Sequence, residues 1–293
     1  MKKLILILLL MPALSMASGG GSKFDHVKIN MADVGSLQRG AKLFVNYCMG
    51  CHSIKYVSYG RLKKDLLLTE TQVYKNMMGT YGDKMKLSDY MITSLTPEQA
   101  KQFFVATPPD LSTVERARGA DWLYNYLRSF YVASLVIKKE PGELDCKNDP
   151  ANQIRIMDHD KPVTVCKDKT RPFGVNNIVF DKVSMPHVML RQQGAQVAKF
   201  EEYFVTNEKG EKIAKKKFIK FIPVNAQGLS HKELAARAAQ FNNDTRDLVT
   251  FLAWVADPGK LDRQKVGFWV LLFLIGFTIL AYLMKKEFWK DIH

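Results

Sequence analysis

The chain has 293 residues, enough for one large domain or two small ones, and 47% of them are hydrophobic, which is ordinary for a globular protein with a membrane segment. Its 43 Lys and Arg outnumber 29 Asp and Glu, so the formal net charge is +14 at pH 7. Strong basicity can indicate nucleic acid or an anionic partner. No nucleic-acid motif accompanies it, so we expect no nucleic-acid partner and a solvated basic face.

The first 17 residues have the pattern of a secretory signal peptide. Met1-Lys2-Lys3 is positively charged, residues 4–10 are apolar, and Ser15-Met16-Ala17 supplies small residues at a cleavage position. We predict cleavage after Ala17, with an uncleaved anchor as the alternative. The domain that follows, residues 18–259, is then expected in the periplasm.

Cys48, Cys51 and His52 form a C-x-x-C-H motif. Two thiols at this spacing on one helical turn can reach both vinyl groups of a porphyrin and form thioethers, and His52 can then give an imidazole nitrogen to the iron. A bare C-x-x-C would also suit zinc or a thioredoxin-like redox site. The adjoining His and the secretory signal favour haem, because thioether attachment is made outside the cytoplasm. The motif therefore predicts one covalent haem c.

A helix is expected to deliver these cysteines, with Ser36 as its N-cap. One apolar face recurs at helical spacing along it, through Leu37, Ala41, Phe44 and Cys48. Further helix starts are indicated by capping-box patterns at Thr69 and Thr96, and Ser112 with Glu115 is expected to cap another helix.

The run Pro108-Pro109-Asp110-Leu111-Ser112, followed by the pair Ala117-Arg118, resembles the signature of the cytochrome c1 family, the haem subunit of the cytochrome bc1 complex. The resemblance implies that Pro108, Pro109 and Leu111 contact the haem and that Arg118 pairs with a propionate. The residue chemistry agrees, because a buried propionate needs a cation and Arg offers a bidentate one. A surface helix arginine is the alternative.

Residues 138–171 are polar and rich in turn signals, which predicts an inserted surface loop or ribbon. Cys146 and Cys166 bracket its middle. In an oxidising periplasm they are expected to form a disulfide, which would add roughly 3 kcal/mol on the chain-entropy model.

Met185 is the candidate for the second axial ligand, because a Met-Pro pair in a loop distant from C-x-x-C-H is how many c-type cytochromes supply a thioether. Such a pair of Met and His ligands raises the reduction potential. The resemblance places the family's sulfur ligand at this Met-Pro pair as well. The rivals are Met189 and His187, the second of which would give a bis-His haem of lower potential.

A β-hairpin is predicted after this loop, from two β-rich runs at residues 200–205 and 218–222. Its basic run, Lys212 to Lys220, is expected to be a solvated edge, with a docking surface as the alternative.

The C-terminal third predicts a helix that packs on the haem domain and then a membrane anchor. A capping box at Ser230 starts an apolar stripe at helical spacing, and Asp257-Pro258-Gly259 breaks it. The anchor lies in residues 260–284, within which 266–284 is an uncharged apolar run long enough to span a bilayer. With the haem domain outside, the tail at 285–293 is expected in the cytoplasm.

The predicted fold is mainly α: a class I c-type cytochrome haem domain with inserted loops, a small β-hairpin and one C-terminal transmembrane helix in the bacterial inner membrane. The resemblance implies that the haem receives an electron from a Rieske iron–sulfur protein and passes it to a soluble or membrane-tethered cytochrome c, within a dimeric complex that contains cytochrome b. Two alternatives stay open, an anchored haem subunit of a terminal oxidase or dehydrogenase, and a periplasmic haem sensor.

Overall fold

The computed structural model describes residues 25–78, 84–104, 106–137, 149–158, 161–167, 173–181, 183–206, 210–225 and 227–290. The expected signal peptide, Cys146 and the last three residues lie outside these ranges.

The described chain is mainly helical, with short sheets between the helices. Its helices are α1 (Val34–Tyr47), α2 (Tyr59–Asp65), α3 (Glu70–Asn76), α4 (Pro97–Phe103), α5 (Val114–Arg118), α6 (Ala120–Arg128), α7 (Leu190–Gln193), α8 (His231–Ala256) and α9 (Lys260–Phe288). Its strands are β1 (Ile54–Ser58), β2 (Tyr90–Met91), β3 (Phe130–Tyr131), β4 (Ala133–Ile137), β5 (Gln153–Asp158), β6 (Lys161–Cys166), β7 (Asn176–Asn177), β8 (Gln196–Thr206) and β9 (Lys212–Pro223).

The packing of α1 against α8 organises the main hydrophobic core. The predicted apolar face of α1 is confirmed, since all four of its members are buried. The rings of Phe44 and Phe251 pack with centroids 5.7 Å apart. The carboxylate of Asp247, only 3% exposed, accepts hydrogen bonds from the Ser36 hydroxyl at 2.6 Å and the Arg39 guanidinium at 2.5 Å. A buried carboxylate is tolerated because both of its oxygens are paired.

The helix starts are largely those that the sequence predicts. The capping boxes at Thr69, Thr96 and Ser230 are confirmed. Ser36 is not the N-cap of α1: Asp33 is, and its side chain accepts from the Ser36 backbone N–H. The predicted cap by Ser112 and Glu115 is also wrong. The helix α5 begins at Val114 without a side-chain cap, because the Ser112 hydroxyl accepts instead from the Tyr56 backbone N–H.

The predicted hairpin is longer than its β-rich runs and belongs to a mixed sheet. The sheet has the order β4-β8-β9, with β4 parallel and β9 antiparallel to β8, so β9 is its outer strand. Glu201 lies opposite Lys217 and Glu202 opposite Lys216. These carboxylates offset part of the basic charge of the outer strand.

The insert is a ribbon that packs on this sheet, rather than a loop that only covers the surface. The strands β5 and β6 pair antiparallel, and their Ile156 and Val165 are buried against Val197 and Ile222 of the sheet. Asp158 at the end of β5 forms ion pairs with Lys199 and Lys220. Hydrophobic contact and paired charge therefore both fix the described part of the insert.

The last helix, α9, is the one helix of the described residues that is long and apolar enough to cross a membrane. It has 29 residues, and its most apolar window has a mean hydropathy of 2.4 with nothing buried. At about 1.5 Å per residue it exceeds the roughly 30 Å of a bilayer core. Residues 260–265, expected as part of a linker, are already helical.

We predict that Gly40→Ala destabilises the protein by about 1–3 kcal/mol, as overpacked cores do. A Cβ at Gly40 would lie 2.1 Å from the Asp247 carbonyl oxygen and 2.6 Å from the Phe251 Cβ, so α1 and α8 would have to separate. Thermal unfolding of the detergent-solubilised protein measures the loss.

Gly35→Ala is the matched control on the same helix. A Cβ there meets only the ends of the Arg39 and Asp33 side chains, at 3.3 Å, which can move aside. Equal melting temperatures for the two variants would contradict the close helix crossing.

Candidate haem-binding site

The imidazole of His52 is fixed by one hydrogen bond. Its Nδ1 lies 2.7 Å from the carbonyl oxygen of Pro109, so Nδ1 is the donor and carries the proton. The Nε2 atom is therefore the one left with a free lone pair, as an iron ligand requires. Burial lowers the pKa of His52 below its ordinary value, against the opposing influence of the Pro109 hydrogen bond and of Asp110. The ring is held neutral, which also suits ligation.

The segment that supplies the Pro109 carbonyl forms hydrogen bonds with the residues that follow the C-x-x-C-H motif, through three successive residues. The Leu111 N–H donates to the Ser53 carbonyl at 2.8 Å, and the Lys55 N–H donates to the Asp110 carboxylate at 3.0 Å. The buried Ser112 hydroxyl accepts from the Tyr56 N–H at 3.2 Å. Asp110 and Ser112, the polar residues of the run 108–112, thus each have a structural partner within four residues of His52.

The carboxylate of Asp110 also accepts from the Ser112 backbone N–H at 3.0 Å. Burial opposes its ionisation, but the hydrogen bonds from Ser112 and Lys55 outweigh burial and hold the pKa of Asp110 below its ordinary value. The segment is therefore held by an ionised side chain at neutral pH.

The two cysteines of the motif are free thiols at the end of α1. Burial, and then the neighbouring Cys51, raises the pKa of Cys48 to about 12, so this thiol keeps its proton. Cys51 is more exposed and borders an open cleft of about 430 Å³ that Pro108 and Asp110 also line. The cysteines therefore lie at the boundary between core and solvent.

Met185 lies at the edge of a small apolar cluster formed by Phe130, Val175 and Val183. It is half-buried, and its sulfur accepts a hydrogen bond from the Tyr126 hydroxyl at 3.5 Å. Its rival Met189 is 1% exposed and belongs to the main core. The sulfur of Met185 is accordingly the more available of the two.

His187, the other rival, is stacked on Phe130 with ring centroids 4.9 Å apart and planes 5° from parallel. Burial lowers its pKa to about 4, against an interaction with the Gln193 side chain that raises it. Its Nε2 is buried without a hydrogen-bond partner among the described residues. A packed, neutral imidazole with an unpaired nitrogen stands two residues from the sulfur candidate.

The segment that follows the loop of Met185 is hydrogen-bonded to the helix α1, which carries the C-x-x-C-H motif at its end. After the loop, the Gln192 amide donates to the hydroxyl of Tyr47, the residue before Cys48. Arg237 of α8 donates to the carbonyls of Gln192, at 3.0 Å, and Arg191. Cys48 and Met189 also share one hydrophobic core. Tyr47 and Gln192, which are 145 positions apart in the sequence, are thereby brought into contact.

Arg118 ends α5 on an exposed surface, with its guanidinium 5.1 Å from the ring centre of Trp122. It forms no ion pair with any residue of the described ranges. Such a cation–π contact orients the side chain while leaving its donors available.

Three polar residues of this region were not singled out from the sequence. Tyr126 contacts the Met185 sulfur, Gln192 binds Tyr47, and the buried Asn177 donates to the Tyr126 carbonyl at 2.8 Å. Only Tyr126 had a signal, the aromatic spacing of α6. Cys166 is disulfide-bonded, but Cys146 lies outside the described residues, so their pairing stays a prediction.

The residues present fit a covalent haem. Two free thiols, a neutral imidazole with Nε2 free and a half-buried thioether are the donors that such a group uses. The unpaired, buried Nε2 of His187 is a further polar atom beside them.

Comparisons with known proteins agree with this chemistry. The family model of the Cytochrome C1 family matches residues 24–292. Cytochrome c1 of Allochromatium vinosum is 39% identical, with all of both chains covered. The ammonia monooxygenase gamma subunit of Nitrosomonas europaea is 32% identical over all of this chain and 98% of its own length. Cytochrome c1 of Rhodospirillum rubrum is 23% identical, over 89% of this chain and 83% of its own.

We predict that Asp110→Ala lowers stability by about 1–3 kcal/mol, because two backbone N–H groups lose their acceptor. Since the pKa of Asp110 is lowered by folding, its stabilisation is present above the ordinary value of 3.8 and is lost as the pH falls through the folded value. The difference in melting temperature between wild type and Asp110→Ala should therefore shrink in acid.

Asp110→Asn is the control, since its amide keeps one acceptor oxygen. Its melting temperature should lie between those of the wild type and Asp110→Ala. A difference that stays constant between neutral pH and acid would show that the charge of Asp110 does not hold this segment.

Proposed function

This chain belongs to the cytochrome c1 family, and we propose that it receives an electron from a Rieske iron–sulfur protein and passes it to a cytochrome c. It is the electron-transfer subunit of a bc1 complex, and members of the family carry covalently bound haem c. The bound haem supplies one-electron chemistry. The chain itself makes and breaks no substrate bond, so its role is to bind the haem, to orient it and to shield it from solvent.

The observation that carries the proposal is the hydrogen bond from His52 to the Pro109 carbonyl. It selects the tautomer whose Nε2 can bind iron, directly after the two thiols that would form thioethers with the porphyrin. We propose that Cys48 and Cys51 would hold the porphyrin through thioethers, and that the His52 nitrogen and the Met185 sulfur would bind its iron. Pro108, Pro109 and Leu111 are proposed to contact the haem.

We assign Arg118 to a haem propionate. Its guanidinium is oriented over Trp122 and has no carboxylate partner in the described ranges, which leaves its donors available. A cation at a propionate opposes the oxidised, more positive iron and so raises the potential.

The chain is anchored in the membrane by α9, and we propose that the haem domain lies in the periplasm and the C-terminus in the cytoplasm. The support is chemical, because thioether attachment is made outside the cytoplasm. Charge alone does not decide the orientation, because Lys260, Arg263 and Lys265 precede the apolar run and Lys285, Lys286 and Lys290 follow it. We also propose cytochrome b as the neighbour of α9 and a dimeric complex.

We predict that affinity purification of the full chain from its native membrane brings down cytochrome b and a Rieske protein, and that quinol then reduces its haem. This result separates the proposal from two alternatives. A haem subunit of a terminal oxidase would bring down oxidase subunits, and a relative of the ammonia monooxygenase gamma subunit would bring down other subunits of an ammonia monooxygenase. Either of those results, without cytochrome b, would overturn the proposal.

We predict that Met185→Leu removes the weak absorption band near roughly 695 nm that reports iron–sulfur ligation in ferric Met/His haem. The midpoint potential should fall by a large amount, because the thioether no longer favours ferrous iron. The haem should stay attached, since both cysteines remain, and the fold should survive because Met and Leu have similar volumes.

Met189→Leu is the matched control four residues away in the same segment, and it should keep the band. If Met189→Leu loses the band while Met185→Leu keeps it, the ligand is Met189. If His187→Leu alone changes the spectrum, the haem is bis-His.

A further inference from the structure

We propose that Tyr126 is a positioning residue for the sulfur ligand: its hydroxyl holds the thioether of Met185 and raises the reduction potential of the protein. The inference deepens the proposed function, because it rests on Met185 as the axial ligand. It adds a residue of α6 to the set that determines how easily this chain gives up its electron.

The ring of Tyr126 packs against two other aromatic rings. It stacks on Trp122, one helical turn earlier, with centroids 5.0 Å apart and planes 7° from parallel. It meets the edge of Phe130 at 5.3 Å. Asn177 binds the backbone carbonyl of the same residue. With the ring and backbone fixed, the direction of the hydroxyl is set by the fold rather than by the ligand.

The hydroxyl has one partner in the part of the chain that the structure describes, which is the Met185 sulfur at 3.5 Å. Sulfur is a large and weak acceptor, so a separation of this size is a hydrogen bond to a thioether. The neighbouring rings offer no acceptor. The residue is half-buried, and this contact satisfies the hydrogen-bonding capacity of its hydroxyl.

A hydrogen bond donated to the thioether changes how much electron density the sulfur can donate to iron. The hydrogen bond draws on one sulfur lone pair, so the other donates less electron density to ferric iron. The positive end of the O–H dipole also points towards the sulfur, and there it would oppose added positive charge on an iron bound by that sulfur. Both effects favour the ferrous state and therefore raise the potential.

A purely structural role is the competing explanation, since an aromatic residue at helical spacing usually fills a core. That role predicts that loss of the hydroxyl affects stability and leaves the potential unchanged. The observed geometry favours the positioning role, because the ring is already packed by Trp122 and Phe130 without the hydroxyl.

The test is Tyr126→Phe in the full, haem-loaded chain, which removes one oxygen and keeps the ring. We expect covalent haem and the iron–sulfur band to remain, and the midpoint in a spectroscopic redox titration to shift to lower potential. Tyr124→Phe is the control on the same helix. Its ring contacts Arg128 at 4.4 Å, so its midpoint should equal that of the wild type.

A double-mutant cycle with Met185→Leu separates the two proposals. If the hydroxyl acts through the sulfur, Tyr126→Phe should produce no shift once Met185 is Leu. An unchanged midpoint in Tyr126→Phe, or an equal fall in both backgrounds, overturns the role of Tyr126 and leaves the ligand assignment intact. Retention of the iron–sulfur band in Met185→Leu overturns the ligand assignment itself.

Discussion

The hydrogen bond between His52 and the Pro109 carbonyl is the interaction on which the site depends. A histidine next to two cysteines is only a potential ligand until something fixes its tautomer and its ring plane. Here a carbonyl from a segment 57 residues later does both, at 2.7 Å. Asp110, Leu111 and Ser112 of the same segment form hydrogen bonds with residues 53–56, directly after the C-x-x-C-H motif. These bonds keep the Pro109 carbonyl in place relative to the imidazole.

The packing of α1 against α8 positions the chain that follows Met185, the proposed second ligand. The helices α1 and α8 cross closely at Gly40, and Asp247 ties them with buried, paired hydrogen bonds. From this frame Arg237 holds the chain after the Met185 loop, and Gln192 reaches back to Tyr47 beside Cys48. The insert contributes elsewhere, since its ribbon packs on the sheet and pairs Asp158 with Lys199 and Lys220. The site and the insert therefore rest on separate sets of contacts.

The sequence predicts well what is encoded locally. The C-x-x-C-H motif, the capping boxes, the apolar face of α1 and the apolar anchor each depend on neighbouring residues. Ser36 was mistaken for an N-cap because Asp33 and Ser36 are both good cap residues, and only the fold decides between them. The parallel pairing of β4 with β8 and the contact of Tyr126 with Met185 join residues about 60 positions apart, which no local pattern specifies. The aromatic spacing of α6 is a signal for the Tyr126 ring, but the hydroxyl that faces the sulfur has no signature of its own.

We propose that His52 and Met185 provide one nitrogen and one sulfur ligand to the same iron. X-ray absorption at the iron edge of the purified, oxidised protein measures this ligand set directly. The account predicts one sulfur scatterer in the first shell, with the remaining ligands nitrogen. A first shell of nitrogen alone would contradict it, and would point to the unpaired Nε2 of His187 as the atom that takes the place of the thioether.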